Sequence, residues 1–428
     1  MKDWILSTAW ITGVVTAPHA LALLGNLAGV FQWTLIPLLV AAVAVYWLNS
    51  ASLADLIAFS PARTDELPAL AEAIGPFSAI VFLIAGRLIT AVTAATVLLV
   101  TAGFAFNETF VYWFPNFGFA FSLLVLVLAM RIAGIAAARI FQVATAAISL
   151  AGLAVLIAMG LWDAPGQPVT AQTGTNAVPW HMLFSSLLLF AGFDSALNHH
   201  FSRAGAVKTA MRTGLGLLGL ALGLWVAVSI LHAPAERLSS SFIPHVVVAR
   251  AAGGQTGRMI MAIVIIAASC AAVNALFGNV SRTLTQVMDR VDGSQAFEHF
   301  ARRQAPWVLV CSVGVALMLA TGMAGTDAID VYLRAGLYSW LLCYAAVHSG
   351  LWILVNRQGA PNDHVKKLQS AAGAVLMVLA FGILLIFDPE RADLVRFMLA
   401  TWTVLAALVL GGGFLSRFYM SKRTRSLP

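Results

Sequence analysis

Charge is what this sequence has least of. Charged residues make up 10% of the 428 positions and hydrophobic residues 60%, where a soluble chain of this length carries about a quarter charged. That balance excludes a soluble protein. Cysteine is scarce as well: Cys270, Cys311 and Cys343 lie inside apolar runs with no paired spacing, which argues against a disulfide framework or a thiolate metal centre. Catalytic signatures are missing too. There is no His-Glu-x-x-His run, no Gly-x-Ser-x-Gly elbow, no phosphate loop and no output domain of the kind a sensor needs, so an embedded enzyme or sensor is the least supported class. No cofactor is implied.

What is present is a series of apolar runs of about 20 residues, each long enough to cross a hydrocarbon core of roughly 30 Å. Twelve spans are predicted, near 5–30, 33–58, 76–106, 112–131, 136–161, 180–201, 206–231, 256–288, 306–324, 329–354, 369–387 and 394–416. The net charge of +7 could suggest nucleic acid, but its placement excludes that reading. Lys and Arg crowd alternate connections, including Arg63, Arg131, Arg139, Arg203 and Arg212, while only Arg237, Arg250, Arg258, Arg334, Arg391 and Arg396 fall on the other side. The asymmetry places both termini on the cytoplasmic side. The Arg- and Ala-rich composition fits the inner membrane of a bacterium. The first apolar run carries no cleavage pattern of a signal peptide. The longest connection, about 162–179, is a Gly/Pro/Thr/Gln linker on the far side.

The sixth span, SSLLLFAGFDSALNHHF over 185–201, begins as an ordinary apolar helix and then breaks at Ala191-Gly192. Asp194 follows in what is expected to be the bilayer interior. A carboxylate at that depth costs about 2.5–3.5 kcal/mol on insertion scales. Opened backbone is tolerated there only where it lines a protein-enclosed cavity. The first span carries a matching interruption at Thr16-Ala17-Pro18-His19. Proline removes a backbone donor and clashes with the preceding turn, costing about 3 kcal/mol in a helix interior. The two breaks sit at equivalent places if spans one to five and six to ten are two copies. Paired interruptions of this kind point to the binding site of a secondary transporter. Half-helix ends present N–H groups to an anion and C=O groups to a cation, so the pair can hold both ends of a zwitterion.

Here the chain resembles the amino acid–polyamine–organocation permeases, secondary transporters of the leucine-transporter fold. The resemblance rests on FAGFDSA in span six, on LADLIAFSPARTDELPALAEAIGPFSAIVFLIAGRL from span two into span three, on the Arg139-Ile-Phe-Gln142 entry to span five, and on NALFGNVSRTLTQVMDR closing span eight. It covers roughly residues 7–355. It implies an all-α polytopic fold, with a first repeat over 1–161 and an inverted second repeat over 180–355. Peripheral spans occupy 367–418, and a cytoplasmic tail 419–428. It implies alternating-access transport of an amino acid or related small amine, as symport or exchange coupled to Na+ or H+. Its expected partners are a small-molecule substrate and membrane lipid; oligomeric state is left open. The first-span break departs from the Gly-Ser-Gly type run common in the family, and Ser149 stands where some members place a coupling lysine.

The substrate candidates are Thr16, Ala17, Pro18 and His19 in span one, Phe190, Ala191, Gly192, Phe193 and Asp194 in span six, and Thr90 and Thr93 on the wall formed by span three. Asp194 either binds a substrate amine or caps the second half-helix by accepting its free N–H groups, and capping physics favours the cap. Ser149 and Ser269 are candidates for ion coupling. Arg87, about 16 Å along span three from Pro76 at 1.5 Å per residue, is read first as the partner of Asp55 in an inner gate, with snorkelling inward or attraction of an acidic substrate as the alternatives; His199 and His200 are gate or interface candidates near the same end. The alternative within transport is a metal-ion carrier using His19, Asp194, His199 and His200. A transition-metal site wants three or four converging ligands, so no metal ligand set is assigned.

Overall fold

The computed structural model describes residues 3–60, 65–162, 180–199, 204–288, 304–323, 328–358 and 364–425, and every regular element among them is helical. Helices α1 (Asp3–Val15) and α2 (Pro18–Phe31) make up the first interrupted span. Ala17 is held at φ −60°, ψ 148°, because a residue before proline is driven out of the α region. Pro18 then opens α2, where its missing N–H has no intrahelical role. A ladder of hydroxyls runs up α1: Thr8, Thr12 and Thr16 donate to the carbonyls of Trp4, Thr8 and Thr12 at 2.7, 2.7 and 2.8 Å. Each satisfies its own polar group inside the helix, as threonines at membrane depth must.

A short turn at Gln32–Thr34 leads into α3 (Leu35–Phe59). Then come α4 (Leu67–Ile74) and α5 (Pro76–Ile84), a π-helical turn at Ala85–Ile89, and α6 (Thr90–Thr109). Gly75 joins α4 to α5 at φ +87°, a left-handed conformation that glycine adopts freely. Helices α7 (Asn116–Ile132) and α8 (Ile135–Trp162) follow. The sixth span is not a pair of α-helical halves. It is two 3₁₀ segments, Trp180–Phe190 and Phe193–Asn198, with i→i+3 bonds such as Ser195 N to Gly192 O at 2.9 Å and His199 N to Ala196 O at 3.1 Å. A 3₁₀ helix rises about 2.0 Å per residue, so the first segment covers about 22 Å of depth.

The remaining elements are α9 (Ala204–His232), α10 (Ala235–Ser240), α11 (Pro244–Met288, kinked at Gly253-Gly254), α12 (Gln304–Ala320), α13 (Ala328–Gln358), α14 (His364–Phe387) and α15 (Arg391–Arg425). Among the described residues, eight helical stretches are long and apolar enough to cross a membrane, and Trp4–Val15, Asn116–Ile132 and Gln304–Ala320 are shorter apolar helices. Burial sorts them. The apolar window of α11 is 83% buried and that of α15 11%, so α11 is at the centre and α15 at the rim. Glycine sets the closest approach at the centre: a Cβ on Gly13 of α1 would lie 2.6 Å from the Ala271 backbone of α11. Small residues let membrane helices approach in this way where larger ones cannot.

Candidate functional site

The two interruptions pack against each other. Gly192 takes φ +89°, and a Cβ there would sit 2.8 Å from Cγ1 of Val14, in the last turn of α1. On its other side Ser195 Oγ donates to Trp10 O at 3.0 Å. Thr16 shares a 3.0 Å hydrogen bond with Ser149 of α8, which ties the first break to the fifth span. Phe190, Ala191, Phe193, Thr16 and Ala17 are all buried, and His19 is half-buried. The sequence-predicted breaks therefore lie at one place in the fold.

Five aromatic rings enclose the sixth-span break. Tyr46 of α3 lies 5.3 Å from Phe190 and 5.2 Å from Phe193, and stacks on Trp340 of α13 at 5.8 Å. Phe193 reaches Tyr344 at 5.2 Å, and Trp340 stacks on Tyr344 at 4.2 Å. The Tyr46 hydroxyl donates to Leu187 O. Among the described residues, His19 Nδ1, Ser269 Oγ and Tyr344 Oη are buried without a hydrogen-bond partner, Tyr344 belonging to this ring cluster. Buried polar groups are normally satisfied, so unpaired ones in a binding region are the groups a ligand can serve.

Asp194 does not cap. Its carboxylate is hydrogen-bonded to the side chains of Arg87 and Trp340 instead. Oδ2 accepts Arg87 Nε at 3.1 Å and is 3.1 Å from another nitrogen of that guanidinium; Oδ1 accepts Trp340 Nε1 at 3.4 Å. A guanidinium within reach offers a charge-assisted partner stronger than a neutral backbone donor. Arg87 in turn donates to Glu66 and to Thr283 Oγ1. Asp55 is not its partner, contrary to the sequence reading. Glu66, in the connection between α3 and α4, is fully buried and also accepts Arg282 at 3.2 Å. Burial alone would raise its carboxyl; the guanidiniums of Arg282 and Arg87 outweigh burial and hold it at about 2. Arg282 extends the chain of charges to Asp65 at 3.6 Å.

The wall residues divide. Thr90 Oγ1 donates to Gly86 O at 2.6 Å and Gly336 O at 2.7 Å, so it fastens α6 to α13; Thr93 bonds only its own helix, at Ile89 O. His199 follows the second 3₁₀ segment, at its C-cap, and His200 lies outside the described residues. Below the breaks, Gln142 Nε2 donates to Ala9 O at 2.9 Å, and Asn274 Nδ2 donates to Gln142 Oε1 at 2.8 Å. Glu66, Tyr46, Trp340 and Tyr344 were missed as site residues. Glu66 had one signal, an acidic residue in the short connection before span three, whereas the rings lie inside ordinary apolar runs.

Two interrupted helices, packed break against break inside an all-helical bundle with spans of membrane length, define a permease rather than an enzyme. The chain belongs to the amino acid permease family, whose model matches residues 5–409, and it is a multi-pass secondary transporter. No curated protein matches it in sequence. Its fold is similar to that of a manganese transporter from Eremococcus coleocola, at TM-score 0.61 and 12% identity over 98% of this chain and 95% of that one. It is also similar to a Na+-coupled sialic acid symporter in its substrate-bound outward-open state, at TM-score 0.63 and 12% identity over 91% and 90% of the two chains.

Proposed function

We propose that this permease moves an amino acid or related small amine across the bacterial cytoplasmic membrane by alternating access, driven by a coupled Na+ or H+ gradient or by exchange. The observation that supports the reading is the packing of the Gly192 turn against Val14, in the last helical turn before the first-span break. Helix breaks packed in this way supply N–H donors to a carboxylate and C=O acceptors to an ammonium. The substrate site is Thr16–His19 and Phe190–Phe193, with Tyr46, Trp340 and Tyr344 as its aromatic wall. Asp194 is committed to Arg87, so the substrate's ammonium is held by backbone carbonyls and ring faces rather than by that carboxylate.

The architecture proposed is twelve spans, with 1–161 and 180–355 as inverted repeats, 367–418 as a peripheral pair and both termini cytoplasmic. The Arg87–Glu66–Asp194–Arg282 network then forms the gate at the end of the bundle where α1 begins. Ser269, with its buried hydroxyl unpaired, and Ser149, hydrogen-bonded to Thr16, are the coupling-ion candidates.

A thermal-shift panel of amino acids, amines and small carboxylates on the purified protein tests the substrate class, because a ligand that binds only the folded state raises its stability. Uptake into proteoliposomes under imposed Na+ or proton gradients then identifies the coupling ion. No stabilisation by any amino acid or amine would overturn the reading. A divalent-metal carrier is the competing outcome: stabilisation by Mn2+, Fe2+, Co2+ or Zn2+ that is lost in His19→Ala would establish it. Against it, a metal at Asp194 would first have to displace the Arg87 guanidinium.

A further inference from the structure

Most of the arginines that reach into the described bundle meet acids. Arg87 has Glu66 and Asp194, Arg282 has Asp65 and Glu66, and Arg334 has Asp388 and Glu390. Arg131, in the last turn of α7, is different: no carboxylate among the described residues pairs with it. It donates to the backbone carbonyl of Asn274, its guanidinium carbon lies 5.4 Å from the ring centre of Trp10, and its Nε is buried without a partner. Gly278 makes the space, since a Cβ there would overlap the guanidinium. That Cβ would also lie 2.7 Å from Asn198 Nδ2, which donates to Ala275 O. The cation is thus enclosed by α1, α7, α11 and the second 3₁₀ segment. A buried charge without a counter-charge is strongly unfavourable, and a ring face with one carbonyl is weak compensation.

The position bears on transport. Trp10 is six residues before Thr16, about 9 Å along α1 at 1.5 Å per residue, and Asn198 is six residues after Gly192. Arg131 therefore stands beyond both breaks, towards the end of the bundle where α1 begins. It belongs to α7, while Trp10 and Asn198 beside it belong to the two interrupted spans, and Asn274 and Gly278 to α11. A planar guanidinium with a free Nε–H presents the paired donors that fit a carboxylate.

We propose that Arg131 is a carboxylate-binding subsite on the path between the helix breaks and that end of the bundle, masked by Trp10 while the end is closed. The proposal deepens the permease reading and rests on it for the word path. Its occupant is a carboxylate-sized anion, either the carboxylate of the substrate or a free one. Movement of α1 removes the indole, and the anion takes its place on the guanidinium.

The test is thermal unfolding of the detergent-solubilised full chain, titrated with sodium acetate against sodium HEPES at constant ionic strength. The expected result is a saturable rise in Tm for the wild type. Arg131→Gln should abolish it, Arg131→Lys should weaken the apparent affinity about tenfold through loss of the paired donors, and Trp10→Leu should strengthen it several-fold by removing the mask. A merely structural Arg131 would leave acetate affinity unmoved by Trp10→Leu. Absence of a saturable rise in the wild type, or the same rise in Arg131→Gln, overturns the proposal. The acetate titration does not depend on which substrate is carried. Acetate binding at Arg131 with no response to any amino acid or amine would leave the subsite standing and sink the substrate class. An amino-acid response with acetate indifferent to Arg131 would do the reverse.

Discussion

Replacing Arg87 with methionine should be among the most damaging single changes in the bundle, and a second change should repair much of it. The Arg87 and Asp194 side chains are 3% and 1% exposed, so solvent screens their interaction little. Removing one partner of a buried ion pair strands the other and costs about 3–5 kcal/mol. Glu66 would keep Arg282 at 3.2 Å, whereas Asp194 would keep only the weak 3.4 Å bond from Trp340, so the penalty falls mainly on Asp194. Arg87→Met should therefore lose about 3–5 kcal/mol, Asp194→Asn a smaller amount because Glu66 still answers the guanidinium, and the double variant should recover most of the Arg87→Met loss. The assay is a double-mutant cycle on purified protein in one detergent, read by thermal shift and by hydrogen exchange over residues 180–199. Exchange there should accelerate in Arg87→Met, because the pair joins the sixth span to the third. If the two losses simply add, the pair is not coupled and the reasoning fails.

Four further outcomes follow from the same geometry. Gly192→Leu should abolish uptake in proteoliposomes while the protein remains folded, since the new Cβ meets Val14 and a side chain at φ +89° costs about 1–2 kcal/mol; unchanged uptake would refute the site. Thr16→Val removes the bond to Ser149 at 3.0 Å and should cost about 1 kcal/mol, with little further loss when Ser149→Ala is added. Gly13→Val should prevent stable assembly, because its Cβ would lie 2.6 Å from the Ala271 backbone, and size-exclusion chromatography reads the result. Glu66 is held at about 2 against an ordinary 4.5. Its stabilisation should therefore be complete above about pH 4.5 and fade as pH falls towards 2. Glu66→Gln should be less stable at neutral pH and show a shallower acid limb in a Tm-against-pH series.

The breaks were legible because each needs a residue type that announces itself: Pro18 ends a helix by chemistry, and Gly192 is the residue that takes a left-handed turn without strain. That the chain carries apolar helices of membrane length was legible for a similar local reason, since hydrocarbon demands an unbroken apolar run. What joins the spans was not. Arg87 was visible as an anomaly, but Asp55, in the preceding span, drew the pairing away from Glu66 and from Asp194 107 positions downstream. The capping reading of Asp194 weighed the nearby half-helix and could not weigh a guanidinium arriving from another span. Tyr46, Trp340 and Tyr344 look like ordinary apolar positions until three spans bring them together. Arg131 served in the sequence only as a marker of orientation, and its lack of an acid among the described residues is a property of four packed elements. The 3₁₀ geometry of the sixth span also has no residue signature in SSLLLF.

The π turn at Ala85–Ile89 has a consequence for how the third span can vary. A π turn fits one extra residue into a helix, and each residue turns an α-helix by about 100°. Everything from Thr90 to Thr109 is therefore rotated relative to Pro76–Ile84 by an amount that this single residue sets. The offset lets Arg87 meet Asp194 while Thr90 meets Gly336. Deleting one residue within the turn would close it to an α-helical turn and leave the side chains downstream aimed where they are, whereas a one-residue deletion between the turn and Thr109 would rotate those beyond it by about 100°. The third span can thus absorb the loss of one residue at this turn and hardly anywhere else along its length.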